Sequence, residues 1–440
     1  MRALGLAWIR GRLGDLRVRL RQARLPSISL PAAPAAAASP EALAQLERGA
    51  LKVIDSMLLD IDRLDRSLAK ISAASARQTQ VANRRLTVMQ LRADALFKSL
   101  DFFSDTIAIR ADAHSGLLLA GLDRVLAVAL DRKIPGYRPP HAISYLDAGG
   151  RGGAISRART RLPGGVVLPV AMVRVSPETL PTRLTSSLHE VGHQLAVDLN
   201  MLEEARHVVR RAVLSATGNP AQAALWVNWT GELIPDCWSL CLGAGAPAVD
   251  GVQRVLSLPA PMLHLLRPGA VHPPGAVRVP FSVAYARHVR PDPVLRDLSR
   301  RFDQVYAGVL LPDMLVARTR SLATAVDAVA EALATHRFTG LAGRTISEVS
   351  DPEQLDPRRL RTYLAQASAL DPEKLAARQP LFALAAIGLA RTLGLLAPAH
   401  HDRIARAWLL NIAQRHAKGR SAAVRSELQG GRTGLLSFAA

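Results

Sequence analysis

Residues 188–195 read Leu-His-Glu-Val-Gly-His-Gln-Leu. His189 and His193 are four apart, so a helix sets both imidazoles on one face at the spacing of two ligands to one metal ion. Glu190 stands beside the first histidine and can take a proton from a water at such an ion without itself ligating. Leu184, Leu188, Val191, Leu195 and Leu199 form an apolar stripe along the same segment. The spacing therefore predicts a helix with one face in the core and the other facing a cleft. Gly192 costs about 1 kcal/mol in a helix relative to Ala. A cost borne inside the motif predicts close packing there, or room for metal and substrate.

Upstream, the β-branched run Val166 to Val175 reads as a strand, and Pro169 within it predicts an edge position. Ser176-Pro177-Glu178 then signals a switch to helix. Downstream, residues 229–238 read Trp-Thr-Gly-Glu-Leu-Ile-Pro-Asp-Cys-Trp. Glu232 and Asp236 are again four apart and share a helix face.

These two motifs together resemble those of the gluzincin family of zinc metallopeptidases. The resemblance implies an α+β zincin-like domain, zinc as cofactor, and peptide-bond hydrolysis by metal-activated water with Glu190 as general base. By motif position it implies Glu232 as third zinc ligand beside His189 and His193, and Asp236 as the carboxylate that orients His189. The family binds peptide along an edge strand beside the metal, which is the role expected of Val166 to Val175. It also uses a Tyr or His to stabilise the oxyanion, and His272, Tyr285 and His288 are the candidates. His272-Pro273-Pro274 followed by Arg278 is similar to an element found after the active site in some zincins.

The chain departs from the family pattern in three ways. Gly231 precedes Glu232 in place of asparagine, the gap between His193 and Glu232 is longer, and Pro235 lies between Glu232 and Asp236. Proline removes a helix hydrogen bond. The second helix is therefore expected to begin near Glu232 or to kink there.

Outside this core the chain reads as helix. Residues 26–40 are a Pro/Ala linker, and Ser39-Pro40-Glu41 opens a helix. Leu43, Leu46, Ala50, Ile54, Met57, Ile61, Leu64, Leu68 and Ile71 follow in steps of three and four, a heptad-like seam. Further helix is expected through Leu86, Leu96 and Phe103 and again from Leu117 to Leu130. Pro135, Pro139, Pro140 and the glycines from Gly149 to Gly153 mark a boundary. From Pro291 to Phe438 the chain is helical once more. Within that region Leu381 to Leu396, interrupted by Arg391, reads as a core helix. The expected organisation is a basic amphipathic segment and linker (1–40), a helical bundle or coiled coil (41–135), a zincin-like catalytic domain (136–290) and a helical C-terminal region (291–440). The fold class is α+β, predominantly α overall.

The formal charge is +20, from 56 basic side chains, nearly all arginine, against 36 acidic ones. This surplus predicts an anionic partner. Residues 1–25 concentrate it: Leu6, Ile9, Leu13, Leu16 and Leu20 form one stripe, Arg10, Arg12, Arg17, Arg19, Arg21 and Arg24 occupy the rest, and Asp15 is the sole acid. The segment is expected to meet a membrane surface or nucleic acid, or to be a solvated arm or transit peptide. Two cysteines, Cys237 and Cys241, cannot build a disulfide framework and predict a reducing compartment, hence the cytoplasm, with association at a membrane surface. No uninterrupted apolar run of membrane-spanning length is present, so no spanning helix is expected. Beside peptide hydrolysis, two other functions fit: a zinc hydrolase acting on a non-peptide amide or ester, and a non-catalytic basic helical scaffold that binds nucleic acid or membrane.

Overall fold

Five helices begin with a polar cap followed by proline. Ser39, Asn219, Asp356, Asp371 and Gln379 each accept a hydrogen bond from a backbone N–H of the first turn, and each precedes a proline at the first helical position. The cap satisfies a donor the helix leaves over, and proline's fixed φ suits a position that needs no N–H. In the computed structural model, residues 2–23, 34–70, 75–146, 156–157, 160–175, 184–267, 269–306, 313–351 and 353–435 are described. The chain is mostly helical, 74% helix and 5% strand.

In chain order the first elements are α1 (Arg2–Gln22), α2 (Pro40–Ala69), α3 (Ala76–Ala108), α4 (Ala113–Leu130), β1 (His141–Leu146), β2 (Ser156–Arg157), β3 (Arg161–Leu162), β4 (Val166–Val167) and β5 (Val170–Val175). Then follow α5 (Leu184–Asp198), α6 (Met201–Thr217), α7 (Pro220–Leu242), α8 (Ala246–Val255), α9 (Ala260–Leu263), α10 (Gly275–Val289), α11 (Val294–Tyr306), α12 (Asp313–Ala323) and α13 (Val326–Thr335). The last are α14 (Pro357–Leu364), α15 (Pro372–Ala376), α16 (Pro380–Thr392) and α17 (Pro398–Leu435). They fall into two compact units. One is Met1–Gly116 with Arg159–Ala171, the other Leu117–Ala158 with Met172–Ala440.

The first unit is a bundle of α1, α2 and α3, each packed on the other two. Leu46, Ala50, Ile54, Met57, Ile61, Leu64 and Leu68 of α2 are buried along the seam; Ile71 lies outside the described residues. Leu6, Ile9, Leu13, Leu16 and Leu20 of α1 are buried too. The stripe that sequence reading offered to a membrane is thus the bundle's own core. The β3–β4 hairpin packs on α2, where Leu168 lies so near Gly49 that a Cβ there would come within 2.0 Å of its Cδ2.

The run Val166 to Val175 is not one edge strand. It breaks at Pro169 into β4 and β5, and β5 is the middle strand of the order β1-β5-β2. Proline has no N–H to give a ladder, so the chain bends there and resumes pairing one residue later. Thr160 holds the bend: its N–H and its Oγ1 both donate to the Val170 carbonyl, and its own carbonyl accepts from Leu168 N–H. With a neighbour on each side, β5 offers no free edge to an extended substrate.

The second unit holds the remaining helices. α4 is, contrary to the sequence reading, long and apolar enough to cross a membrane by length and composition. Most of it is buried against protein, and its Asp123 accepts hydrogen bonds from the backbone and hydroxyl of Ser144, each 2.6 Å. The centre of the unit is α7, packed on α5, α6, α8 and α10. Trp226, Trp229 and Trp238 of α7 are fully buried. α16 packs on α8, α14 and α17 as the buried helix expected between Leu381 and Leu396.

Candidate metal centre

α5 buries Leu188, Val191 and Leu195 and turns its histidines outward; their side chains are 15% (His189) and 27% (His193) exposed. α7 crosses it at Gly192. A Cβ on Gly192 would lie 2.6 Å from Pro235 Cα and 2.7 Å from its carbonyl oxygen, so the two backbones touch there. Only glycine permits that approach. Ser239 Oγ, one turn beyond Pro235, donates to the Thr185 carbonyl and holds the crossing further along.

The second helix does not take the first of its two expected courses, a start near Glu232. α7 runs from Pro220 through Pro235 to Leu242 with Pro235 in its interior. The missing hydrogen bond would have ended at the carbonyl of Gly231, four residues back. Nearly every residue from Trp229 onward is buried, and the burial of that apolar surface outweighs one lost bond of about 3 kcal/mol. Position 231 carries no side chain, and a Cβ built there meets nothing within 4 Å. The space beside Gly231 is therefore open.

The crossing brings three of the expected residues together. His189 Nε2 lies 3.3 Å from Glu232 Oε2, and His193 Nε2 lies 3.8 Å from Glu232 Oε1. One ligand atom from each of His189, His193 and Glu232 falls within 4.8 Å of the others. Two ligands bound at 2.0–2.1 Å to a tetrahedral ion stand about 3.4 Å apart. Two imidazoles and one carboxylate at this separation thus fit zinc both in donor chemistry and in spacing.

Behind His189, Asp236 Oδ1 lies 2.8 Å from Nδ1. Burial opposes the ionised carboxylate, but Arg278 and His189 outweigh it and hold Asp236 well below the usual range. Asp236 is therefore an acceptor, Nδ1 carries the proton, and Nε2 is the atom turned toward Glu232. Arg278 of α10 clamps the same carboxylate in a fork: Nε donates to Oδ2 at 2.7 Å and Nη2 to Oδ1 at 2.8 Å. Burial disfavours charge on His189 as well, yet Asp236 lifts its pKa to about 9. His193, with burial and the neighbouring His189 against it, is lowered to about 4. Glu232 is lowered despite burial because His189 and then His193 face it.

The remaining expected residues divide. Glu190 is buried at 8% exposure, and its charge acts on Arg278. His272 reaches the cluster with Nε2 3.4 Å from Glu232 Oε2 and a side chain 64% exposed. Its loop is tied to α7, since Asn228 Nδ2 and Trp229 Nε1 both donate to the Ala270 carbonyl. Tyr285 is not brought in. It lies two turns beyond Arg278 on α10, fully buried, with its hydroxyl 3.6 Å from Cys241 Sγ. His288 is exposed near the end of α10. Sequence reading names Arg278 as part of an element that follows the active site in some zincins, without assigning it Asp236 as partner, although a further signal was there. An arginine between Val277 and Val279 near the start of a buried helix needs an anion inside the protein.

No protein-family profile, curated protein or solved structure matches this chain.

Proposed function

We propose that this chain is a zinc-dependent hydrolase of the gluzincin type, with a zincin-like core around α5 and α7, and that it cleaves peptide bonds. One observation carries the reading: His189, His193 and Glu232, from two helices, converge with Asp236 hydrogen-bonded behind the first histidine. A match to a five-residue motif by chance would bring no carboxylate to that place.

Zinc, when bound by these three residues, supplies a Lewis acid that polarises a carbonyl and lowers the pKa of water. Asp236 fixes His189 in the tautomer that presents Nε2, and Arg278 fixes Asp236. Glu190 takes a proton from the attacking water and passes it to the leaving amine, a role worth about 10²- to 10⁴-fold in rate. His272, exposed and 3.4 Å from Glu232, supports a role as the donor that stabilises the oxyanion. The open space beside Gly231 admits the substrate backbone. The peptide is not held by β5.

Metal content by mass spectrometry tests the site, and casein hydrolysis tests the reaction. One zinc per chain, lost in Glu232→Ala, together with proteolysis abolished in Glu190→Gln while zinc is retained, is the expected result. Zinc content that Glu232→Ala leaves intact would sink the ligand set. Zinc bound by all three ligands, with small amides or esters cleaved but casein untouched, would sink the peptide reading alone.

A further inference from the structure

α1 is apolar on two opposite faces. One holds the buried Leu6, Ile9, Leu13, Leu16 and Leu20. On the other, Leu4 is 70% exposed and Trp8 and Val18 are each 53% exposed. At 100° per residue, Leu4, Ala7, Trp8, Gly11, Gly14 and Val18 occupy an outward arc of roughly 120°. Arg10 and Arg21 run along one margin of that arc, Arg12 and Arg19 along the other. Asp15 is the one acid on it. The guanidinium of Arg12 lies 4.8 Å from the centre of the Trp8 ring. In the same bundle α2 exposes mainly charge, Glu47, Arg48, Lys52, Asp55, Asp62 and Arg63, with Leu59 58% exposed, and α3 exposes Val81, Val88 and Leu91. What sets the outward face of α1 apart is an exposed indole with arginines on both margins.

We propose that this face of α1 docks on an anionic lipid bilayer. The indole of Trp8, with Leu4 and Val18, enters the interface between headgroups and acyl chains, and the marginal arginines meet the lipid phosphates and carboxylates. Arg17 is not among them, because it is engaged by Asp62 and Asp65 within the bundle, and Arg19 is partly engaged, 3.7 Å from Asp94 and over the Phe97 ring. A nucleic acid would need its cations at the centre of the contact, where this helix places an indole and aliphatic groups. Since the opposite face stays in the bundle core, docking requires no unfolding. The inference is independent of the metal centre.

Trp8 is a built-in probe. Of five tryptophans, the other four (Trp226, Trp229, Trp238 and Trp408) are fully buried. The full chain is mixed with phosphatidylcholine vesicles with and without phosphatidylserine, their acyl chains brominated, and flotation and tryptophan emission are read together. Vesicles containing phosphatidylserine are expected to carry the protein and quench its emission, with at least tenfold weaker binding to phosphatidylcholine alone. Trp8→Ser is expected to cut flotation about tenfold. Arg10→Gln and Arg21→Gln are each expected to weaken it about fivefold, or about 1 kcal/mol per arginine. Zinc content should be unchanged in all three, since they lie outside the metal centre. Absence of flotation overturns the proposal, as does flotation that Trp8→Ser leaves intact. So do binding to duplex DNA in place of vesicles and a dimer that Trp8→Ser dissolves.

Discussion

Two of the places where arginine meets aspartate in this molecule serve different ends. In the helical bundle Arg17 lies 2.9 Å from Asp62 and 3.3 Å from Asp65, with side chains 24%, 54% and 42% exposed. At the candidate metal centre Arg278 grips Asp236 with side chains 13% and 1% exposed. The first arrangement decorates a surface that an apolar seam already holds together, and such pairs contribute little. The second is expensive to desolvate and brings no obvious gain in stability over an apolar pair. Its use is to keep a carboxylate ionised and fixed behind a histidine. The difference lies in the work of each pair: one trims a surface, the other holds a histidine's partner in place.

The comparison is broken most directly by removing the arginines. Arg278→Ala leaves a buried carboxylate without its main partner and is expected to cost about 3–5 kcal/mol. Arg17→Ala should cost no more than about 1 kcal/mol. Denaturant midpoints for both variants decide the matter, and equal losses would erase the distinction drawn above. The glycines of the same two regions give the next contrast. Gly192→Ala drives a methyl into the Pro235 backbone, with an expected loss of about 1–3 kcal/mol and reduced zinc content. Gly11→Ala, where a Cβ meets nothing within 4 Å, should gain about 0.5–1 kcal/mol in helix stability. Opposite signs in thermal melts are the expected outcome.

A subtler variant sharpens the account of the centre. Asp236→Asn keeps the shape but removes the charge that sets the tautomer of His189, and zinc affinity measured by competition with a chelator should fall about 10- to 100-fold. The smallest effect is a pH dependence away from the centre. His401 is buried beside Arg391, and burial first, then that arginine, lowers its pKa to about 4. Its folded-state pKa is below that of the unfolded chain, near 6.5. The stability tied to its neutral form is complete above pH 6.5 and declines as pH falls towards 4. His401→Gln should flatten that part of the stability profile, and an unchanged slope would show that other groups produce it.

How much could be read in advance depended on whether the signal was local. The face shared by His189 and His193 follows from helix geometry alone, as does the pairing of Glu232 with Asp236. That all four meet at one place depends on the contact of Gly192 with Pro235, which joins helices far apart in sequence. Pro235 points in sequence to a start or a kink, because its local cost is visible there and the burial that compensates it is not. β5 was misplaced for the opposite reason. Pro169 marks the end of one short strand, and which strands would flank the next was set by partners elsewhere. α1 misled through its periodicity. The stripe from Leu6 to Leu20 was legible, but a three-helix neighbourhood was needed to show that it turned inward and left Leu4, Trp8 and Val18 outside.

The meeting of Gly192 with Pro235 makes the centre a two-part fitting. Neither helix can be exchanged, lengthened or rotated without the other, because the permitted separation is set by a missing side chain on one and the backbone at Pro235 on the other. A library that randomises both positions together should recover mainly pairs that preserve this clearance. A designer moving the centre into another scaffold would have to carry the crossing across intact, along with the side chains it aligns.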